Sequence, residues 1–356
     1  MNDNKLYYWL SLSGVSDRKL NALLDIYSPS EVWDELPSSE TLRTFIGDRG
    51  SDTLLRFRYE SFLDGELSKI SDKHIRIVTR ASDKFPKRLL QKETCPPMLL
   101  YYKGDIGITE TNCVAIVGAR ACSSYGREVA EQFAGQLAES GVTVVSGLAT
   151  GIDGYAHNAC LRAGGKTIAV LGGGLERITP ASNVRLGEEI EYSGLIVSQY
   201  PPEYPPTKYT FPERNRIIAG LSQATIVIEA GEKSGALITA EFALEQGREV
   251  FAVPGNITSS KSKGTNRLIC EGAKPACSIA DVLTELRLNI PKKEKSAAIA
   301  LDFFEEKIYT LLRDGDKSLE EFIELSDLRA SEINSTLLEM EIKGIIIRRA
   351  NTYGIR

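Results

Sequence analysis

The sequence is poor in the residues that carry most acid–base and metal chemistry: of 356 residues, two are histidine, His74 and His157. Six cysteines stand at 95, 113, 122, 160, 270 and 277, with no Cys-x-x-Cys pair among them. Neither a zinc site nor a disulfide framework is expected, and reduced cytosolic thiols fit better. No metal or cofactor is expected either. Long apolar runs are missing: none approaches the roughly 20 residues of a spanning helix. The start, Met-Asn-Asp-Asn-Lys, has no signal-peptide pattern. A cytoplasmic protein without membrane contact is expected. A positive charge excess is missing too. Lys+Arg number 43 against 48 Asp+Glu, a formal net charge of −5. Any nucleic-acid site must therefore be a local positive groove on an acidic body.

What remains is a globular composition, long enough for more than one domain. Residues 1–75 read as a small helical domain of helix-hairpin-helix or SAM-like type, with Leu6, Trp9 and Leu10 at helical spacing and breaks at Pro29 and Pro37. The turn Leu12-Ser-Gly-Val15 resembles a helix-hairpin-helix turn, with Ser16 where a second glycine is usual. A plain packing corner in an interaction domain is the preferred reading. Residues 76–288 alternate strand and helix patterns. The strands are Val114–Val117, Val142–Ser146, Thr167–Leu171, Leu195–Ser198, Thr225–Ile228 and Glu249–Val253. Helices fit between them at Gly126–Ser140, Gly151–Ala163, Asn183–Tyr192, Arg214–Leu221 and Ser234–Gln246. Such alternation predicts an α/β, Rossmann-like, doubly wound parallel sheet with its ligand site at the C-terminal strand ends. Residues 289–298 read as a charged linker and 299–356 as a C-terminal winged-helix domain. Its third helix, Ser331–Lys343, carries Glu332, Glu339 and Glu341. That charge favours a protein partner over base readout.

The strand-end loops carry the chemistry. The first, Gly118-Ala-Arg-Ala-Cys-Ser-Ser-Tyr-Gly126, runs from a buried strand into a helix start, a frame that suits a phosphate. Glycines at nearly every strand end suggest a rim where a ligand lies close to backbone. Three familiar ligands fail. A P-loop is excluded because Cys160 stands where the first glycine before Gly165-Lys166-Thr167 belongs, and that run enters a strand. A dinucleotide site is disfavoured because the second strand ends in Ser146 rather than an acid. A hydrolase triad has no Gly-x-Ser-x-Gly elbow, and Asp153 with His157, four apart, reads as a helix-surface pair. The loop from Gln199 to Arg216 is the most informative. It has prolines at 201, 202, 205 and 206, then Lys208, Arg214 and Arg216, with rings at Tyr200, Tyr204, Tyr209 and Phe211. Cations at a helix start oppose its dipole unless an anion sits there. Cations with aromatics fit single-stranded nucleic acid, the cations meeting phosphates and the rings stacking on bases. The tyrosines could equally pack on the sheet.

Together these stretches resemble one family. Val-Gly-Ala-Arg-x-x-Ser-x-Tyr-Gly, Ser-Gly-Leu-Ala-x-Gly-Ile-Asp, Phe-Pro-Glu-Arg-Asn-Arg-Ile-Ile-Ala-Gly-Leu-Ser, Ser-Gly-Ala-Leu-Ile-Thr-Ala and Val-Pro-Gly-Asn look like the DNA-processing protein A (DprA/Smf) family, from about Phe85 to Leu286. The resemblance implies a non-enzymatic dimer that binds single-stranded DNA and loads the RecA recombinase onto it during natural transformation. By position, it implies DNA contacts at Gly118, Arg120, Ser123, Ser124, Tyr125 and Gly126. A neighbouring wall would come from Ser146, Gly147 and Gly151. Lys208, Phe211, Arg214, Asn215 and Arg216 would complete the pocket, and Lys233, Ser234 and Gly235 would cap it. Leu268 and Ile269 would serve the dimer, although burial in their own domain is equally open. A lysine common in the third loop of relatives is missing around Ala181 and Val184. The rival is a nucleotide-binding or nucleoside-monophosphate-processing enzyme of the lysine-decarboxylase-like group. Its Pro-Gly-Gly-x-Gly-Thr-x-x-Glu motif is replaced here by Ala230-Gly-Glu-Lys-Ser-Gly-Ala-Leu-Ile-Thr-Ala-Glu241, which loses the catalytic glutamate's register. A scaffold that senses a free nucleotide is a third reading.

Overall fold

The computed structural model describes residues 1–288, 301–313, 315–349 and 351–355, so the expected linker at 289–298 lies outside the described residues. Residues 1–291 and 292–356 form two compact units.

The first unit opens with six helices: α1 (Asp3–Ser11), α2 (Asp17–Leu24), α3 (Pro29–Glu35), α4 (Glu40–Ile46), α5 (Asp48–Arg56) and α6 (Glu60–Asp72). Local chemistry starts them. Asn2 accepts from the Lys5 amide, and Ser28 with Glu31 makes a reciprocal capping box ahead of Pro29. Leu6, Trp9 and Leu10 are buried on one face of α1. The turn at Gly14 packs on α5, where a Cβ at Gly50 would sit 2.7 Å from Val15 Cγ2. These helices do not stand apart. Their core, around Trp9, Leu36 and Leu54, is continuous with Leu99, Tyr101, Ala169 and Ile196 of the sheet. The division at residue 75 is thus a change of secondary structure rather than a break in the core.

The chain then runs β1 (Arg76–Thr79), β2 (Leu99–Gly104), β3 (Cys113–Val117), α7 (Ser124–Glu139), β4 (Thr143–Ser146), α8 (Ile152–Arg162), β5 (Thr167–Val170), α9 (Val184–Ser193) and β6 (Leu195–Ser198). It continues with α10 (Thr210–Leu221), β7 (Ala224–Val227), α11 (Gly235–Glu245), β8 (Glu249–Ala252), α12 (Lys263–Cys270), β9 (Lys274–Pro275) and α13 (Ile279–Glu285). The nine strands form one sheet in the order β1-β2-β6-β5-β4-β3-β7-β8-β9. All pairings from β6 to β9 are parallel, while β2 runs antiparallel to β6 and β1 antiparallel to β2. The fold is α/β and Rossmann-like, with an antiparallel edge. Both sheet faces are covered, as parallel strands require. In β3, Cys113, Ala115 and Val117 point to the core under α10 and α11, and Val114 and Ile116 to the core under α7 and α8. The chain steps outward from β3 through β6, then returns to the other side of β3 for β7. The topological switch lies between β3 and β7, where such sheets open a crevice.

The second unit contains α14 (Phe303–Leu312), β10 (Lys317–Ser318), α15 (Leu319–Leu325), α16 (Ala330–Ile342), β11 (Ile346–Arg349) and β12 (Thr352–Ile355). Its antiparallel sheet has the order β10-β12-β11. Ile308, Phe322, Ile333, Leu337 and Met340 fill the core. On α16, Leu338, Glu339, Glu341 and Ile342 are exposed.

Candidate nucleic-acid interface

The switch-point crevice has a volume of about 210 Å³ and is lined by Gly118, Arg120, Phe211, Asn215, Ser234 and Gly235, among others. The β3 loop is held from below. A Cβ at Gly118 would lie 2.6 Å from Ile152, and one at Gly151, whose φ is +78°, would lie 2.3 Å from the Ala119 carbonyl oxygen. Pressed against α8 in this way, the loop turns Arg120 outward. The Arg120 guanidinium lies 5.1 Å from the centre of the Phe211 ring, in the first turn of α10. Across the crevice, Ser234 caps α11 by accepting from the Ala236 amide at 3.3 Å. Gly235 is exposed, and a Cβ there would meet nothing within 4 Å. Asn215 Nδ2 donates to the Gly235 carbonyl at 3.3 Å and so ties α10 to that helix start. Lys208 and Lys233 are exposed immediately before α10 and α11. Lys208 sits 5.0 Å from the centre of the Tyr209 ring, which is 71% exposed. Among the described residues no ion pair engages Arg120, Lys208 or Lys233.

Several expected contacts face inward instead. Arg214 is 4% exposed. It donates to the Gly147 carbonyl at 2.6 Å and to the Val170 carbonyl, bridging the ends of β4 and β5. Burial pushes its pKa down to about 10, with the Asp153 charge opposing that shift. Asp153 is buried too; its carboxylate accepts from the Gly147 amide at 3.1 Å and the Ala149 amide at 3.4 Å. Burial raises its pKa, and Arg214 pulls the other way. Arg216 pairs with Asp17 of α2 and donates to Gln199 Oε1 at 2.6 Å and to the Cys95 carbonyl. It fastens the N-terminal helices to α10. Ser146 donates to the Ile116 carbonyl at 2.6 Å and is fully buried. A Cβ at Gly147 would lie 2.4 Å from Arg214 Nη1. Most of the rim glycines therefore make room for the protein's own groups.

The expected helix-surface pair Asp153–His157 is corrected: both residues are buried in α8. His157 Nδ1 is 2.7 Å from Thr167 Oγ1, and the Thr167 hydroxyl donates to the Val144 carbonyl at 2.8 Å. The ring therefore carries its proton on Nδ1, and Nε2 is buried without a partner among the described residues. Burial pushes the His157 pKa down to about 3. The expected phosphate frame at the start of α7 is also filled, by Glu229 from the end of β7. Its carboxylate accepts from the Ser123 amide at 2.8 Å and from the Ser123 hydroxyl. The sequence placed Glu229 at a strand end without a role; an acid beside a small polar loop was the available signal. Ser124 and Tyr125 stay exposed, with the Tyr125 hydroxyl donating to the Pro254 carbonyl at 2.9 Å.

Of the loop rings, Tyr200 and Tyr204 stack on each other at 5.0 Å, and the Tyr200 hydroxyl donates to Glu213 at 2.8 Å. Phe211 and Tyr209 are the rings beside cations. Leu268 belongs to the core under α12, and Ile269 packs half-buried at its margin. Ala181 and Val184 are exposed. Among the described residues, one carboxylate cluster has ligand spacing, Asp302, Glu305 and Glu339 within 4.8 Å. There Asp302 caps α14 and Lys343 pairs with Glu305 at 2.7 Å. No helix among the described residues is long and apolar enough to cross a membrane.

Comparison with known proteins adds a family. The profile of DNA recombination-mediator protein A matches residues 76–287. DNA processing protein DprA of Bacillus subtilis is 38% identical over 276 residues, 75% of this chain and 93% of that protein. The crystal structure of DprA from Streptococcus pneumoniae aligns with a TM-score of 0.69 at 37% identity, covering 80% of this chain and 98% of that one. DprA from Helicobacter pylori, whose structure was described for its single-stranded DNA binding mode, aligns with a TM-score of 0.52 at 30% identity over 60% of this chain and 95% of its own.

Proposed function

The chain belongs to the DNA recombination-mediator protein A family, and from that premise we propose that it binds single-stranded DNA through the switch-point crevice and loads RecA onto it in natural transformation. Its role is binding rather than catalysis, carried out in the cytoplasm by a homodimer. The observation that carries this reading is Arg120. It is an exposed guanidinium at the strand switch, laid over Phe211, while its neighbour Arg214 is withdrawn into the framework. Arg120, Lys208 and Lys233 offer phosphate contacts, and Phe211 and Tyr209 offer faces on which bases stack. Ser124, Tyr125, Asn215, Ser234 and Gly235 fit beside them as polar or close-approach contacts. Arg214, Arg216, Ser123, Gly126, Ser146, Gly147, Gly151 and Gly118 act by holding the loops in place. The C-terminal unit is proposed as a winged helix for a protein partner, because its third helix exposes Leu338 and Ile342 beside Glu339 and Glu341. Ile269 is the residue left to contribute to a dimer from α12.

Two assays test the reading. In gel shifts, Arg120→Ala and Lys208→Ala each weaken single-strand binding about tenfold, the scale of a lost charged contact. The pocket assignment fails if both variants bind as wild type does. RecA filament growth on DNA coated with single-strand-binding protein should accelerate with the wild-type chain; no acceleration would remove the loading role and leave binding standing.

A further inference from the structure

The start of α7 has the form of an anion site, yet a side chain of the protein already fills it. Ser123 is the N-cap, and its hydroxyl oxygen accepts from the Gly126 amide at 3.0 Å. That hydroxyl donates to Glu229 Oε1, while Glu229 Oε2 accepts from the Ser123 amide at 2.8 Å. The carboxylate is 2% exposed. The fit is close: a Cβ at Gly126 would lie 2.4 Å from Oε2. Glu229 is itself fixed, because its backbone carbonyl accepts from the Ala119 amide at 2.8 Å on the opposite arm of the same loop. Two carboxylate oxygens thus meet the groups that two phosphate oxygens would meet at a strand–loop–helix site. The Ser123 amide, the Ser123 hydroxyl and the Gly126 amide are thereby engaged, and the Glu229 side chain takes the space beside Gly126.

We propose that Glu229 is an internal surrogate for phosphate and sets the ligand specificity of this strand end. By filling the β3–α7 anion site it denies that site to inorganic phosphate and to the phosphate of a free nucleotide. The crevice at Arg120 on the other side of the loop is left for ligand. The inference stands on the loop geometry alone and does not depend on DNA being that ligand.

The experiment is chemical rescue of Glu229→Ala in the full chain, followed by thermal unfolding in potassium phosphate and in potassium chloride of equal ionic strength and pH. Wild type gives the baseline, including any phosphate taken up at Arg120. Removing the side chain opens a hole with free donors, so phosphate should raise the variant's Tm by about 3–5 °C more than wild type's, in a saturable way. Glu229→Gln keeps the volume and should respond as wild type does. An equal response in wild type and Glu229→Ala overturns the proposal. So does a Glu229→Gln response as large as that of Glu229→Ala. If Glu229→Ala is recovered folded from phosphate but not from chloride, the proposal is supported; recovery from neither salt overturns it. No DNA enters the assay, so its failure leaves the DNA reading untouched.

Discussion

Arg214→Ala separates a framework residue from a ligand contact. The substitution removes a guanidinium that is 4% exposed and joins the carbonyls of Gly147 and Val170. It also leaves Asp153 buried without the positive charge that opposes its desolvation. Breaking a buried charged network by deleting one partner costs about 3–5 kcal/mol, and each buried acceptor left bare adds to the strain on the same loops. With a urea m-value of about 2–3 kcal/mol per molar, the midpoint should fall by more than about 1 M. Trp9 is buried and lies 4.8 Å from Trp33, ring centre to ring centre, in a core continuous with the sheet, so tryptophan fluorescence follows this unit's unfolding. Arg120→Ala is the control, because replacing an exposed side chain should change the stability by no more than about 0.5 kcal/mol. The opposite result is Arg214→Ala unfolding at the wild-type midpoint while its DNA affinity falls as far as that of Arg120→Ala. Arg214 would then be a ligand contact after all.

Three further outcomes follow from neighbouring groups. His157 has a folded pKa lowered to about 3, below its unfolded value of about 6.5. The unfolded chain therefore binds the extra proton between those values, and stability falls as pH drops through that window. Integrated from pH 7 to pH 5 this is about 2 kcal/mol; the difference between wild type and His157→Asn in urea melts at the two pH values should show it, and a pH-independent difference would contradict it. Asp17→Ala breaks the partly buried pair with Arg216 and should cost about 1–3 kcal/mol. Limited proteolysis should then cut residues 1–72 sooner than in wild type. Leu268→Asp should destabilise the fold rather than simply dissociate a dimer, because Leu268 is 7% exposed in its own core; folded monomer on size-exclusion with light scattering would argue otherwise.

The parallel part of the sheet was readable because each strand from β3 to β7 is short, apolar and followed by a helical pattern, a combination that leaves few alternatives. The N-terminal boundary of α10 was not. Four prolines and the Thr-Phe-Pro-Glu run read as loop up to Arg214, whereas the helix starts at Thr210 and takes Pro212 into its first turn, where no amide partner is needed. That shift moves Arg214 from a helix start to an inward face shared with Ile217, Ile218 and Leu221 at spacings of three, four and seven. The same periodicity, read four residues earlier, would have identified it. Asp153 and His157 were misplaced because i,i+4 spacing says that two residues share a face and not which face. Glu229 was visible as an acid at a strand end but not as the partner of Ser123, which is more than a hundred residues away in sequence and adjacent only through the β3–β7 pairing. Of the proposed site, the exposed cations Arg120, Lys208 and Lys233 and the half-buried Phe211 were visible as residue types before they were visible as a place.

The salt dependence of single-strand binding counts the phosphates that the crevice cations meet. If Arg120, Lys208 and Lys233 each displace counterions from one phosphate, log K against log salt for an oligothymidine should have a slope of about −2, and Arg120→Ala should reduce it by about 0.7. A slope near zero in wild type, or one that Arg120→Ala leaves unchanged, would contradict the account.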